Sequence, residues 1–152
     1  MKMGTPPETI LIVDDAPAIL STLAGILADE GYDVQTAESG EEALESLQTV
    51  SPAVILLDIL MPGLDGVETL KRILVSRAEV MVIMMSGHGS AETAAQTMKL
   101  GAYDYIEKPV SLEKVVAIVK HAIDAYRLRK ENRELKARIE RMGAHTSEGL
   151  PL

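Results

Sequence analysis

The sequence predicts an α/β fold: a five-stranded, doubly wound parallel sheet with helices on both faces and an extended C-terminal helix. Runs that are apolar at every position recur at residues 10–13, 54–57 and 80–85, as expected for parallel strands buried on both faces. Segments with helical spacing of apolar residues lie between these runs, and several of them open with helix-capping residues. The connections are short, so a single crossover helix joins each strand to the next.

The first half of the chain predicts the order strand, helix, strand, helix, strand. A helical apolar stripe over residues 18–27 follows the first strand, and Gly31 is a natural stop for that helix. Residues 33–36 alternate in polarity and predict a short second strand. Ser39, with Glu42 three residues later, has the pattern of a capping box and opens the second helix.

The second half of the chain continues this alternation. Asp65 with Glu68 repeats the capping pattern before the third helix. Ser90 opens a fourth, alanine-rich helix that ends at Gly101. Ser111 opens a fifth helix, whose apolar positions recur with helical spacing.

The fifth helix is too long to pack entirely against one small domain. Its pattern continues from residue 111 to residue 142, a length of about 48 Å, and Gly143 is its first stop. We therefore expect a globular domain over residues 8–126, a helical extension over 127–142 and a flexible tail over 143–152.

The extension has the heptad spacing of a coiled coil, in a register that starts at Ile118. The seam positions of the extension hold Leu128, Asn132, Leu135, Ile139 and Met142. An asparagine in such a seam fixes the register and favours two strands, and the flanking charges are complementary. We predict a parallel homodimer through these residues; the alternative that the sequence leaves open is a single solvated helix.

Charge is unevenly distributed along the chain. Residues 1–126 carry 8 Lys and Arg against 19 Asp and Glu, a net charge of −11, whereas residues 127–142 carry 7 against 3, a net charge of +4. An acidic domain argues against direct nucleic-acid binding, which needs clustered basic side chains. The basic segment mixes both signs at helical spacing, which favours a solvated helix over contact with DNA.

Composition excludes several classes of protein. The chain has no cysteine, so disulfides, thiolate metal sites and cysteine nucleophiles are excluded. Its longest apolar run has six residues, against the roughly 20 that a membrane span needs. Residues 1–7 lack the apolar segment of a secretory signal. We expect a cytoplasmic protein with no membrane partner.

Polar side chains stand where the apolar strands end. Asp14 and Asp15 follow the first strand, Asp58 follows the third and Ser86 closes the fourth. Lys108 follows the fifth strand, which we predict at residues 103–106. Because ligands bind beyond the carboxyl ends of parallel strands, we expect these five residues to meet at one edge of the sheet. We call this set the rim site.

The rim site has the chemistry of a divalent metal beside a phosphoryl group. Mg²⁺ prefers carboxylates and water, and it neutralises phosphoryl oxygens. The chain has neither of the glycine-rich motifs that cradle nucleotide phosphates. One of the carboxylates is therefore predicted to accept a phosphoryl group rather than to assist ATP.

Four segments resemble the receiver domain of two-component response regulators: residues 13–15, 57–66, 85–88 and 105–109. The resemblance covers roughly residues 8–126. It implies a flavodoxin-like sheet with strand order 2-1-3-4-5, and an aspartyl phosphate formed at Asp58 from a sensor histidine kinase. A receiver followed at once by such a helix also resembles the amino-terminal part of NtrC-class activators, which depend on sigma-54, and this implies a transcriptional output.

The same resemblance implies a role for each residue of the rim site. Asp14, Asp15 and Asp58 would hold Mg²⁺, together with the backbone carbonyl of Leu60. Lys108 would pair with the phosphoryl oxygens.

It implies a switch as well. Ser86 would donate a hydrogen bond to the phosphoryl group, and Tyr105 would turn inward when Ser86 moves. His88 and Leu60 would influence the rate of dephosphorylation. The peptide before Pro109 would be cis, as such bonds are a feature of proline.

Several residues also have a plainer structural interpretation. Asp14 and Asp15 could cap the first helix, and Asp58 could form an Asx turn. Lys108 could pair with Glu107, and Tyr105 could be a static, half-buried aromatic.

Two other functions remain to be compared with a phosphoacceptor. A Mg²⁺-dependent phosphatase of the haloacid-dehalogenase type also uses an aspartate nucleophile. Such enzymes carry a second aspartate two residues later and a cap domain, whereas Asp58 is followed by Ile59 and Leu60. A dimerisation scaffold with a vestigial receiver is the third interpretation, and the intact rim site argues against it.

Overall fold

The computed structural model describes residues 7–77, 79–87 and 91–146. Within these ranges, strands and helices alternate in the order that the sequence predicts. The elements are β1 Thr9–Val13, α1 Pro17–Asp29, β2 Asp33–Ala37, α2 Gly40–Ser46, β3 Val54–Asp58, α3 Gly66–Ser76, β4 Met81–Ser86, α4 Ala91–Leu100, β5 Asp104–Glu107 and α5 Leu112–Thr146. No helix in the described ranges combines the length and the apolar character that crossing a membrane requires.

The strands form one parallel sheet in the order β2-β1-β3-β4-β5, which confirms the flavodoxin-like order. β1 lies between β2 and β3, with Ile12 opposite Thr36 on one side and Leu56 on the other. The chain therefore winds away from β1 in both directions. In open sheets of this kind, a ligand crevice forms where the winding reverses, here at the carboxyl ends of β1 and β3.

The central strands are buried on both faces, as their uniformly apolar sequence predicts. On β1, Ile10 and Ile12 belong to the core formed with α1 and α5, whereas Leu11 and Val13 belong to the core formed with α2 and α3. All four side chains are fully buried. The two cores hold the sheet between them, and they fix the strand ends that carry the rim site.

The capping residues that the sequence predicts are in place on two helices. The Ser39 hydroxyl oxygen accepts a hydrogen bond from the Glu42 N–H at 3.0 Å, and Asp65 Oδ1 accepts one from the Glu68 N–H at 2.8 Å. The return bond of the capping box differs from the expected one, because the Glu42 carboxylate accepts from the Glu38 N–H. The predicted cap Ser90 lies outside the described residues.

α5 passes the residue at which the sequence placed its end. It follows Ser111, whose hydroxyl oxygen accepts a hydrogen bond from the Lys114 N–H at 3.4 Å, and it continues through Gly143 to Thr146. A glycine inside a helix costs roughly 1 kcal/mol relative to alanine, which weakens a helix without ending it. The division into an extension and a tail stays a prediction, and residues 147–152 lie outside the described part of the chain.

Candidate functional site

Three acids meet in the crevice between β1 and β3. Asp14 directly follows β1 and is fully buried, Asp58 ends β3 and is 4 % exposed, and Asp15 is exposed. Carboxylate oxygens of the three residues lie within 4.8 Å of one another. The structure thus brings together the three acids that the sequence places at two different strand ends.

Lys108 lies beside two of these acids. Its Nζ is 2.6 Å from Asp14 Oδ2 and 3.3 Å from Asp58 Oδ2, and its side chain is largely buried. The backbone N–H of Lys108 donates a hydrogen bond to the Ser86 carbonyl at 2.8 Å, which holds the chain after β5 against the end of β4. Among the described residues, Lys108 therefore forms its ion pairs with Asp14 and Asp58 and not with Glu107.

The electrostatics of the pair follow from burial and from mutual attraction. Burial raises the pKa of Asp58, the charge of Asp14 raises it further, and the attraction of Lys108 offsets only part of the rise. Burial lowers the pKa of Lys108, but its hydrogen bond to Asp14 and the charge of Asp58 outweigh this, so the net shift is upward. One ammonium thus faces two buried carboxylates, and the site has a deficit of positive charge.

Ser86 contributes a hydroxyl group with no partner. Its side chain is 1 % exposed, and its Oγ forms no hydrogen bond within the described residues. A buried polar atom left without a partner costs on the order of 1–3 kcal/mol. Such a cost at the end of β4 is explained if the hydroxyl binds a ligand that enters the rim site.

Of the two plainer structural interpretations of the acids, helix capping by Asp14 and Asp15 is wrong, whereas an Asx-type contact of Asp58 is present. α1 has Ala16 as its N-cap, with no side-chain capping bond, so Asp14 and Asp15 are not its capping pair. Asp14 Oδ1 instead accepts a hydrogen bond from the Ala16 N–H at 2.9 Å. Asp58 Oδ1 accepts one from the Leu60 N–H at 3.4 Å, which is an Asx-type contact. That contact leaves Asp58 Oδ2 facing Lys108, so it is compatible with a functional role.

The loop between β3 and α3 packs closely against the phosphoacceptor candidate. A Cβ atom on Gly66 would lie 2.3 Å from the carbonyl oxygen of Asp58 and 2.5 Å from the Cα of Ile59. The Gly66 N–H donates a hydrogen bond to the Ile59 carbonyl at 2.9 Å. Only glycine fits at this position. The sequence shows Gly66 as a turn residue but carries no signal that its role is close approach to Asp58.

The remaining predicted residues are placed with less functional detail. Tyr105 is partly buried on β5, against the core that includes α2 and α3. The side chain of Leu60 is 58 % exposed. The peptide bond between Lys108 and Pro109 is cis, as the resemblance implies. His88 lies outside the described residues. The switch role of Tyr105 and the ligand role of the Leu60 carbonyl stay predictions.

The donor atoms of the rim site fit Mg²⁺. Three carboxylates supply hard oxygen ligands, which Mg²⁺ prefers, and Asp15 is exposed where water can complete the coordination. An ion there would also supply the positive charge that Lys108 alone does not. We conclude that Asp14, Asp15 and Asp58 could hold a divalent cation.

Comparisons with known proteins agree with this geometry. The sequence profile of the response regulator receiver domain matches residues 10–120. The nitrogen assimilation regulatory protein NtrX of Azorhizobium caulinodans is 49 % identical over 129 residues, which cover 84 % of this chain and 28 % of that protein. The DNA-binding transcriptional regulator NtrC of Escherichia coli K12 is 36 % identical over 127 residues, which cover 84 % and 27 %. The chain thus spans less than a third of the length of these relatives.

Solved structures are similar over most of the chain. The crystal structure of NtrX from Brucella abortus superimposes with a TM-score of 0.79 at 37 % identity, covering 85 % of this chain and 29 % of that one. The solution structure of the beryllofluoride-activated NtrC4 receiver domain dimer gives a TM-score of 0.74 at 40 % identity, covering 78 % and 98 %.

Replacing Lys108 with methionine should destabilise the protein in the absence of divalent cations. The substitution leaves Asp14 and Asp58 buried together without their counter-charge, and we expect a loss of about 3–5 kcal/mol in the free energy of unfolding. Urea unfolding followed by circular dichroism measures this change. Lys114→Met, at an exposed position of α5, is the matched control and should stay within about 0.5 kcal/mol of the unsubstituted protein.

Added Mg²⁺ should recover part of the stability of the Lys108→Met protein, because an ion bound by the acids replaces the lost positive charge. Equal stability of the two substituted proteins without Mg²⁺ would show that Lys108 does not balance the rim acids.

Proposed function

This chain belongs to the response regulator receiver domain family, and we propose that Asp58 is the residue at which it accepts a phosphoryl group from a sensor histidine kinase. A receiver of the NtrX and NtrC type is a phosphoacceptor signalling domain that controls an output domain. The observation that carries the assignment is the position of Asp58, whose carboxylate lies within 4.8 Å of those of Asp14 and Asp15 and 3.3 Å from the ammonium of Lys108. The phosphatase and scaffold alternatives are not favoured by these comparisons.

The proposed reaction transfers one phosphoryl group from a histidine of the kinase to the carboxylate of Asp58. A carboxylate oxygen of Asp58 forms a bond to phosphorus as the phosphorus–nitrogen bond of the kinase phosphohistidine breaks, and the imidazole nitrogen retains the electron pair. Lys108 is placed to pair with the phosphoryl oxygens, since its Nζ already lies 3.3 Å from Asp58 Oδ2. Ser86 supplies a hydrogen-bond donor to the same oxygens.

We assign the metal ligands within the same proposal. Asp14, Asp15 and Asp58 would hold Mg²⁺ through their carboxylates, and Leu60 would add its backbone carbonyl. When bound, Mg²⁺ neutralises charge on the acids and on the phosphoryl oxygens. Asp14 meanwhile keeps Lys108 in place through the 2.6 Å ion pair.

The proposed response to phosphorylation begins at Ser86. Its hydroxyl has no partner among the described residues, so a phosphoryl group on Asp58 offers its first acceptor. Movement of Ser86 toward that group would open space that Tyr105 enters. Tyr105 is partly buried at present, so a further inward turn is available to it.

Substituting Asp58 with asparagine should abolish phosphorylation. Asparagine keeps the shape of the side chain but lacks the nucleophilic carboxylate. The measurement is intact mass after incubation with acetyl phosphate and Mg²⁺, which should rise by one phosphoryl group in the unsubstituted protein only. Asp65→Asn is a matched control, because Asp65 caps α3 and should not be the acceptor. A mass increase that persists in the Asp58→Asn protein would place the acceptor elsewhere.

The phosphorylated form should be comparatively long-lived, so that autodephosphorylation is slow. Leu60, two residues after Asp58, is apolar and exposed, and it cannot orient a hydrolytic water as an acid or an amide can. Leu60→Asn or Leu60→Glu should therefore speed loss of the phosphoryl group, because either side chain can hydrogen-bond and position a water. The rate of dephosphorylation is measured by mass spectrometry, as the fall over time in the fraction of phosphorylated protein. Leu60→Met is the apolar control. Equal decay rates in all of these proteins would show that water access is set elsewhere.

We propose a transcriptional output that lies outside the receiver. NtrC, which this chain resembles, is by name a DNA-binding transcriptional regulator, and the chain covers 27 % of its length. Direct contact with nucleic acid by the receiver itself is not part of the proposal, because that domain is acidic. Cytoplasmic location is part of it.

A parallel homodimer through α5 is the second part of the proposal. Four apolar side chains of the predicted seam are exposed: Leu128, Leu135, Ile139 and Met142. The seam positions before Leu128 are partly occupied, because Ile118 and Ala125 pack against the core of their own domain. The seam available to a second copy therefore begins at Leu128.

Contacts between the extension and its own receiver leave that seam accessible. Arg127 Nε lies 3.2 Å from Glu8 Oε2, and Arg133 contacts Glu79. Residues 127 and 133 occupy outer heptad positions, on the side of the helix opposite the seam. Across a parallel dimer, Glu131 would face the partner's Lys136, a pair of opposite charge. The beryllofluoride-activated NtrC4 receiver domain, which this chain resembles, is itself a dimer.

Asn132→Leu should tighten self-association and loosen its specificity, because an asparagine at this position pairs with its mate only in a parallel, in-register dimer. Leu135→Glu should abolish self-association by placing charge in the seam. Lys130→Glu changes charge at an outer position and is the control. Sedimentation velocity at tens of micromolar, with and without phosphorylation, distinguishes these states. A monomer in every case would leave α5 a solvated helix.

A further inference from the structure

We propose that Glu41, in the first turn of α2, is a positioning residue of the rim site. Its carboxylate holds the loop between β3 and α3 and, through that loop, the backbone of Leu60. The inference rests on the proposed function, because the loop directly follows Asp58 and carries the carbonyl that we assign to the metal.

Glu41 contacts the far end of this loop across 23 positions of sequence. Glu41 Oε2 accepts a hydrogen bond from the Leu64 N–H at 3.3 Å. The neighbouring Gly63 has φ of +80°, and a Cβ there would lie 2.9 Å from Glu41 Oε2. The carboxylate therefore lies directly against the turn of the loop, in space that any other residue at 63 would occupy.

α2 is itself fixed against the same loop, so Glu41 is presented by a rigid element. A Cβ on Gly40 would lie 2.2 Å from Thr69 Oγ1 and 3.0 Å from the Leu64 carbonyl oxygen. Thr69 is fully buried and its hydroxyl donates to the Asp65 carbonyl at 2.7 Å. The first turn of α2 thus packs on both the end of the loop and the start of α3.

The near end of the loop is fixed by the sheet. The Ile59 N–H donates to the Met85 carbonyl of β4 at 2.9 Å, and the Ile59 carbonyl accepts from the Gly66 N–H at 2.9 Å. The side chain of Leu60 is mostly exposed and gives little packing, but Met61 after it is buried in the core formed with α2 and α3. The bond from Leu64 to Glu41 holds the part of the loop beyond Met61, and it is a further tether that restricts where the Leu60 carbonyl can lie.

The tether should affect Mg²⁺ binding through geometry and not through charge. Mutation of residues that orient a metal ligand from outside the coordination shell typically costs about 10–100-fold in affinity. A smaller effect is expected here, because the tether acts on Leu60 through several residues of backbone. Glu41 is an acid, however, so its removal also withdraws a negative charge from the neighbourhood of the site. Glu41→Gln keeps a hydrogen-bond acceptor for the Leu64 N–H and loses only the charge, whereas Glu41→Ala loses both. Glu45→Ala removes an equally exposed charge one turn further along α2.

Two measurements on the full chain test the inference. Calorimetric titration with Mg²⁺ should show that Glu41→Ala weakens binding by about three- to tenfold, while Glu41→Gln and Glu45→Ala stay within about twofold of the unsubstituted protein. Amide hydrogen exchange without Mg²⁺, read at Leu64 by NMR, should be faster in Glu41→Ala only.

Equal weakening by Glu41→Gln and Glu41→Ala would overturn the inference, because charge would then be the cause. Unchanged exchange at Leu64 in Glu41→Ala would overturn it too, because the tether would not exist. Failure of the proposed function has a different signature: the unsubstituted protein would not be labelled at Asp58. Amide exchange at Leu64 does not depend on that labelling, so it shows whether Glu41 tethers the loop even if Asp58 is not phosphorylated.

Discussion

The balance of charge among Lys108, Asp14 and Asp58 is the constraint on which the rest of the structure depends. Two carboxylates buried side by side repel each other, and burial penalises both of them. Lys108 follows β5, the outermost strand on one side of the sheet, and is 94 residues from Asp14 in sequence. Its ammonium makes a 2.6 Å ion pair with Asp14 and a 3.3 Å contact with Asp58. One ammonium does not offset three acids. The remaining deficit of positive charge is what the proposed Mg²⁺ would offset.

The fold supplies the rigidity that such a repulsive arrangement needs. The apolar side chains of β1 and β3 are fully buried between two cores, so the strand ends cannot move apart to relieve the repulsion. Close approach of Gly66 to the Asp58 carbonyl continues this rigidity into the loop that follows. The Ser86 hydroxyl, which has no hydrogen-bond partner among the described residues, is a second unfavourable feature held by the same sheet. Unfavourable local features that persist in a well-packed fold are typical of functional sites.

The rim site and the contacts that hold the extension of α5 lie at opposite edges of the sheet. The rim site occupies the carboxyl edge of the strands, whereas Arg127 and Arg133 bind the extension to Glu8 and Glu79 near the opposite edge. Surface ion pairs of this kind contribute little stability individually. Here they orient the extension of α5, because they hold one side of the helix toward the receiver and leave the heptad seam on the other side.

The elements and the rim residues were predictable because their signals are local. Burial on both faces makes residues 10–13 and 54–57 uniformly apolar, capping makes Ser39 and Asp65 recognisable, and parallel strands necessarily bring their ends to one edge. The resemblance to receivers then supplied the strand order and the roles, of which the strand order is confirmed. The ligand and switch roles remain predictions, because the residues alone do not carry them.

Only the tertiary structure decided how distant residues meet. It showed that Asp14 pairs with Lys108 and does not cap α1, whose N-cap is Ala16. It carried α5 through Gly143 to Thr146, and it placed Glu41 against Leu64. The two contacts have no local signal, because they depend on how distant elements pack and not on the order of neighbouring residues. The continuation of α5 is different, because residues 141–143 are exposed and no described residue packs against Gly143. The sequence by itself determined which residues line the site; packing determined which of them touch.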